Sequence, residues 1–452
     1  MKQVKRRTWF CLVFTALLAL GALLFLARYF TVGGDWASFS ANKHIYDKSG
    51  QLISGAVLDR TGAVLYDAAA GTYNDDKTTR QATLHAVGDR SGNIATGAKQ
   101  TFSEQLSGFN PILGTTTGGH NVYLTLDADL NRTAYEALNG RKGAVGVYNY
   151  KTGELLCMVS TPTFDPENPP EIQDGDSRYE GVYLNRFLSA TYTPGSVFKL
   201  VTTMAAIETL NDYENRTYTC TGSTEIGGQA ITCPSAHGDM DIYGALANSC
   251  NCFYAQLAVE MGGKTMWQYA KKVGLLDSLS VSGISTAAGS FTAAEEGSAD
   301  LGWSGVGQYN DLVNPCAMMT LCGTIANRGT QVLPRLLLKE TTAAGLSAGH
   351  SRAEKHSGTL SSDTCVLLAS MMRRNVTEHY GQSSFGDLAV CAKSGTAEVG
   401  SDARPHSWFT GFVDDEDHPL AFVVVVENGG SGASVAGNVA AKVLTAAAEA
   451  GY

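Results

Sequence analysis

Tyr192-Thr193-Pro194-Gly195-Ser196-Val197-Phe198-Lys199 carries a helix start signal, Pro194-Gly195, just ahead of an apolar run that predicts a helix over 196–210. Residues at i and i+3 share one face of a helix, so the Lys199 ammonium can reach the Ser196 hydroxyl. A serine hydroxyl is a weak nucleophile until a base takes its proton. A desolvated lysine with a lowered pKa can be that base. The helix N-terminus adds backbone N–H groups and the positive end of a dipole, which suit a developing oxyanion. Alone, the arrangement is weak, since a serine there could simply cap the helix. A second copy, Ser40-Ala41-Asn42-Lys43, is read as a solvated linker.

Two further short patterns lie downstream. Ser249-Cys250-Asn251 is a Ser-x-Asn triplet, matched also by Ser40-Ala41-Asn42 and Ser91-Gly92-Asn93. Lys393-Ser394-Gly395 is a Lys-Ser/Thr-Gly pattern, matched also by Lys48-Ser49-Gly50 and Lys151-Thr152-Gly153, which read as turns. Order and context separate the true set from the decoys. Lys393 ends the β run that starts at Leu388, and the strand continues through Gly395-Thr396-Ala397-Glu398. Glycine in such a strand marks close backbone approach, here expected from an extended peptide ligand.

The chain has 452 residues, 44% hydrophobic and 17% charged, enough for two or three domains and at least one large core. A net charge of −10 without a basic stripe argues against a nucleic-acid partner. Lys2, Lys5, Arg6 and Arg7 precede an uncharged run from Thr8 to Ala27 that closes at Arg28. About twenty apolar residues rising ~1.5 Å each span a bilayer core. Arg28-Tyr29-Phe30 is a poor cleavage site and a good interfacial anchor, so an uncleaved single-pass anchor is expected over 1–30, with a long cleaved signal as the alternative. Residues 31–139 read as a small β-rich pedestal ending in a helix over 127–138. Residues 140–452 read as an α+β domain around one antiparallel sheet. Its strands are expected at 144–150, 154–160, 388–396, 406–413 and 419–428. Its helices are expected at 196–210, 241–261, 263–273, 315–327, 361–375 and 435–450.

Of ten cysteines, Cys11 falls in the apolar run, leaving an odd number outside it. Cys220 and Cys233 enclose a polar, Gly-rich loop. With His237 and Asp239 nearby, zinc is one reading, but the spacing matches no strong metal signature. A disulfide or two free thiols is preferred there, and most of the other cysteines read as small core residues.

Ser-x-x-Lys, a Ser/Asn triplet and a Lys-Ser/Thr-Gly strand form the set of serine penicillin-recognising enzymes. Residues 143–451 resemble the transpeptidase domain of class B penicillin-binding proteins. The resemblance takes in Gly143-Ala144-Val145 through Lys151-Thr152-Gly153-Glu154 to Ser160-Thr161-Pro162, and Asn185-Arg186 ahead of Tyr192. It also takes in Ile325-Ala326-Asn327-Arg328-Gly329 and His406-Ser407-Trp408-Phe409-Thr410-Gly411-Phe412. His85-Ala86-Val87-Gly88 and Asn121 to Asp127 resemble the family's pedestal. Ser394 stands where threonine is common, Cys250 fills the variable middle of the triplet, and the pedestal is short. It leaves no room for the glycosyltransferase module of class A relatives.

The resemblance implies a penicillin-binding transpeptidase fold with a pedestal and one transmembrane helix. It also implies a Ser196 acyl-enzyme formed on the D-Ala–D-Ala end of a peptidoglycan stem peptide. Lys199 would be general base, Ser249 a proton shuttle, and Asn251 would hold Lys199 and the substrate amide. Lys393 would supply positive charge beside Ser249. Ser394, Gly395 and Thr396 would bind substrate, the hydroxyls of Ser394 and Thr396 meeting its carboxylate. Backbone N–H groups of Ser196 and Thr396 would form the oxyanion hole. No cofactor or metal is implied, so chelators are expected to leave acylation unchanged. Implied partners are stem peptides, β-lactams and a SEDS-family glycosyltransferase, at the outer face of a bacterial cell membrane, serving cell shape or division. Competing readings are a D,D-carboxypeptidase or β-lactamase of the same fold, and a non-catalytic penicillin-binding scaffold or sensor. Glu398, His406, Trp408, Arg186 and Tyr192 lie near the site in sequence, with His406 read as structural.

Overall fold

Leu420-Ala421-Phe422-Val423-Val424-Val425-Val426 is apolar at every position, and all seven residues are buried. A strand can be continuously apolar only where both faces of its sheet are covered. Here Val423 and Val425 join one core while Phe422, Val424 and Val426 join the other, the two-residue alternation of a pleated strand. This strand is the centre of a five-stranded sheet ordered Val390–Ala397, His406–Val413, Leu420–Val426, Gly143–Asn149, Leu155–Thr161. Every neighbouring pair is antiparallel. The buried helix Pro315–Ala326 covers one face. The C-terminal helix Gly437–Glu449 and the helix Ala128–Leu138 cover the other.

The computed structural model describes residues 2–37, 55–108, 112, 119–173, 175–400 and 403–452. Ser40-Ala41-Asn42-Lys43 and Lys48-Ser49-Gly50 lie outside the described residues. The N-terminal helix runs Lys2–Ala37, and its segment Val4–Gly33 is long and apolar enough to cross a membrane.

Three expectations are corrected. The helix expected over 241–261 is two helices, Ile242–Ala247 and Asn251–Met261, and Ser249 sits between them with φ of +54°. Asp241 caps the first helix through the Gly244 N–H, and the Cys250 sulfur takes the Phe253 N–H at the start of the second.

The stretch 31–139, expected to be β-rich with its helix only at the end, holds a further helix earlier on. This helix, Lys77–Val87, is capped by Asp76, which accepts from the Thr79 N–H at 2.6 Å. Its buried face includes Thr79, Thr83 and His85. Hydropathy alone therefore shows no helical period, although the packing face is complete.

The pedestal sheet is not drawn from 31–139 alone. Its six strands run Ser347–His350, Leu337–Thr342, His120–Leu124, Ala56–Leu58, Val64–Asp67, Thr72–Tyr73. The first two come from far along the chain. Leu337–Thr342 pairs antiparallel with His120–Leu124 and closes what would otherwise be an exposed edge. The helix Ala299–Val306, also unforeseen, stacks on Asn251–Met261 and reaches the site described next.

Candidate active site

Ser196 lies in a 3-10 turn, Gly195–Phe198, that feeds the helix Lys199–Thr209. Gly195 has φ of +57°, and a Cβ there would stand 2.9 Å from the Thr396 carbonyl oxygen. The turn is thus pressed against the strand Val390–Ala397. On its other side the Gly195 N–H donates to the Gly307 carbonyl at 2.8 Å. The sheet therefore sets the position of Ser196 relative to Lys393 and Thr396.

Lys199 is completely buried, and its Nζ meets four oxygens. It lies 3.0 Å from Ser196 Oγ, 2.8 Å from Asn251 Oδ1, 2.6 Å from the Ser249 carbonyl and 3.2 Å from Ser249 Oγ. Burial, followed by the charge of Lys393, pushes its pKa well below the usual lysine value. A lysine so placed can be neutral and accept a proton across the 3.0 Å contact with Ser196. Lys393 is also fully buried, and burial brings its pKa down to about 7. Its Nζ donates to Ser249 Oγ and to the Ser394 carbonyl, each at 3.0 Å. Ser249 Oγ therefore bridges the two lysines.

Five of the residues singled out in the sequence, Ser196, Lys199, Ser249, Asn251 and Lys393, thus form one connected network. Ser196, Ser249, Asn251, Ser394 and Thr396 line a common cavity of about 740 Å³. Gly395 differs from expectation. A Cβ there would meet the Pro194 carbonyl at 2.9 Å and Val197 at 3.0 Å, so the close approach at this glycine is made by the turn that carries Ser196. Ser394 donates both its backbone N–H and its hydroxyl to the Tyr380 hydroxyl at 3.0 Å. Thr396 Oγ1 accepts from the Gly432 N–H at 3.3 Å.

Tyr380 and the cavity-lining Trp303, Gln308 and Tyr309 escaped the sequence reading. They belong to no motif, and only the packing of distant segments brings them in. Glu398 lines the same cavity. Arg186 and Tyr192 converge on Glu427 Oε1, at 2.7 and 2.8 Å. His406 accepts from the Asn428 N–H at 3.1 Å, and Trp408 donates to the Thr193 carbonyl at 3.0 Å. These four form a brace behind the turn that carries Ser196.

A helix-borne serine, a buried lysine beside it, a Ser-x-Asn turn and a lysine on an edge strand are together the arrangement of serine enzymes that react with penicillins. The penicillin binding protein transpeptidase domain family matches residues 143–445. The chain belongs to that family, within the class B penicillin-binding proteins. It is 28% identical to the peptidoglycan D,D-transpeptidase PbpA of Mycobacterium tuberculosis, over 76% of this chain and 74% of that one. It is 24% identical to the peptidoglycan D,D-transpeptidase MrdA of Escherichia coli, over 70% of this chain and 56% of that one. Among solved structures, the ceftriaxone acyl-enzyme of M. tuberculosis penicillin-binding protein A superposes with a TM-score of 0.77 at 22% identity. That match covers 87% of this chain and 98% of the other. Penicillin-binding protein 2 of Helicobacter pylori, solved in complex with MreC, gives 0.64 at 23% identity, covering 74% and 64%.

Proposed function

We propose that this chain is a membrane-anchored peptidoglycan D,D-transpeptidase in which Ser196 carries the acyl group. The observation that supports this most is the placement of Lys199 Nζ, 3.0 Å from Ser196 Oγ in a fully buried setting that favours its neutral form. Lys199 takes the Ser196 proton as Oγ attacks the penultimate D-Ala carbonyl carbon of a stem peptide. The oxyanion that forms is met by the backbone N–H groups of Ser196 and Thr396. The proton passes from Lys199 through Ser249 Oγ to the terminal D-Ala nitrogen, the C–N bond breaks, and free D-Ala leaves. An amine of a second stem peptide then attacks the acyl carbon. Its proton returns by the same path to Ser196, and an amide cross-link remains.

Asn251 holds Lys199 in place and offers its amide edge to the cavity. The Thr396 hydroxyl, exposed in the cavity beside Ser394, suits the substrate's terminal carboxylate. A β-lactam enters the same cycle, but its leaving amine stays tethered, so the acyl-enzyme persists.

The anchor is the helix Lys2–Ala37, kept uncleaved, with the folded part on the outer face of a bacterial membrane. The transpeptidase unit is assigned to 140–452 and the pedestal to 31–139, its sheet completed by Leu337–Thr342 and Ser347–His350. Cross-linking consumes newly polymerised glycan strands, so a SEDS-family glycosyltransferase is the expected partner.

The full chain in detergent, given a pentapeptide donor and a free-amine acceptor peptide, should yield the cross-linked dimer with one D-Ala released per link. A tetrapeptide as the sole product would move the assignment to a D,D-carboxypeptidase.

A further inference from the structure

Cys220, Cys233, His237 and Cys250 come from three separate pieces of backbone, yet their donor atoms all lie within 4.8 Å of one another. We propose that this cluster is a zinc site, Cys220-Cys233-His237-Cys250, which fastens the Ser-x-Asn turn of the active site to the loop 218–240. The proposal stands apart from the assigned reaction, because the site binds metal whether or not the chain cross-links peptides.

Three features support it. First, Cys233 Sγ and Cys250 Sγ are 3.7 Å apart. That is close to the edge of a tetrahedron with Zn–S bonds of about 2.3 Å, which is ~3.8 Å, whereas a disulfide requires about 2.05 Å. Second, the His237 Nδ1 is buried and has no hydrogen-bond partner among the described residues. A buried imidazole nitrogen without a partner is costly, and a metal would use it. Third, Cys233 Sγ accepts backbone N–H groups from Asn251 at 3.1 Å and Cys252 at 3.4 Å. N–H groups aimed at sulfur suit a thiolate ligand and fix its orientation.

Three thiolates and an imidazole are soft donors in a number that fills a tetrahedron, which selects zinc over calcium or magnesium. Binding displaces the three thiol protons to solvent and leaves the site with one net negative charge. Cys252 Sγ also lies 3.4 Å from Cys233 Sγ, but it is left out of the proposed ligand set. Its thiol points to the Ile231 carbonyl at 3.5 Å, and it falls outside the mutually close set.

The placement gives the site a positioning role. Cys250 is the middle residue of Ser249-Cys250-Asn251, and the Asn251 side chain also donates to the Thr232 carbonyl at 2.9 Å, beside Cys233. Fixing Cys233 and Cys250 on one ion fixes Asn251, which holds Lys199 at 2.8 Å. Metal loss should therefore slow acylation without touching Ser196, reversing the expectation that chelators have no effect.

The test uses the full chain in detergent, reduced, stripped with a chelator and dialysed against zinc or cobalt(II) alone. About one zinc per chain is expected, and the cobalt form should show thiolate-to-metal charge-transfer absorption. Cys220→Ser and His237→Ala should each weaken zinc binding at least about tenfold, while Cys252→Ser keeps it. Stripping should slow fluorescent-penicillin labelling of the wild type, and zinc should restore it. Less than about a tenth of an equivalent of zinc on the folded, reduced wild type would overturn the site. So would a Cys233–Cys250 disulfide formed in the presence of zinc, or Cys252→Ser depleting metal as fully as Cys220→Ser. Stoichiometric zinc with labelling unchanged by stripping would overturn its positioning role.

Discussion

Ser249 Oγ lies 3.2 Å from Lys199 Nζ and 3.0 Å from Lys393 Nζ, so two cationic groups compete for one hydroxyl in a fully buried setting. Holding both protonated there is expensive, and the pKa of each is driven down. For Lys393 the native pKa is about 7 against 10.5 for a free lysine, so between those values the unfolded chain binds the extra proton. Stability from this group therefore rises with pH across that window and is lowest, and flat, below pH 7. Relative to Lys393→Met, the wild type should gain up to about 1.4 kcal/mol per pH unit between pH 7 and 9. Denaturant unfolding of both proteins at pH 7, 8 and 9 measures it, and a pH-independent difference would contradict the burial argument. The participating residue types were legible in the sequence because acyl transfer needs a nucleophile, a base and a cation in a fixed order. Tyr380 was not, since a lone tyrosine carries no pattern, and Cys250 fills the variable position of its triplet, which carries no signal of its own.

At the scale of elements, the site depends on breaks in regular structure. The turn at Ser249 interrupts what the apolar pattern reads as one helix, and its positive φ directs the Ser249 carbonyl and hydroxyl to Lys199. Both segments are rich in buried apolar residues, so their composition reads as one continuous helix and is blind to the interruption. Close backbone contact on either side holds the Ser196 turn. Gly307 has φ of +85°, and a Cβ there would stand 2.1 Å from the Gly195 carbonyl oxygen. Gly307→Ala should cost about 1–2 kcal/mol from the backbone conformation alone. It should also push the Ser196 turn out of line, lowering the acylation rate at least about tenfold. Rapid-mixing acylation kinetics alongside a melting curve would separate the two effects, and an unchanged rate would show that the turn is held elsewhere. The five sheet strands were legible because each is a long β run. Helix Lys77–Val87 was not, because threonines and a histidine complete its buried face.

The whole molecule couples sheet, helical half and pedestal through long-range contacts that no local window contains. Arg186, 4% exposed at the side chain, pairs with Glu427, which follows the central strand and also holds the Tyr192 hydroxyl. Removing the carboxylate by Glu427→Ala strands a buried guanidinium and should destabilise by about 3 kcal/mol. Glu427→Gln, which can still accept from Tyr192, should cost less, and thermal melts of the two would rank them. The pedestal sheet is completed by Leu337–Thr342 in the same manner, which no reading in chain order can foresee. All these contacts serve to bring Ser196, Lys199, Ser249 and Lys393 into one network. The most direct test is intact-mass measurement of the full chain after fluorescent-penicillin labelling, beside Ser196→Ala. A single covalent adduct that decays slowly in the wild type and is absent from the folded variant is predicted. An adduct that survives in Ser196→Ala, or none on the folded wild type, would contradict the account.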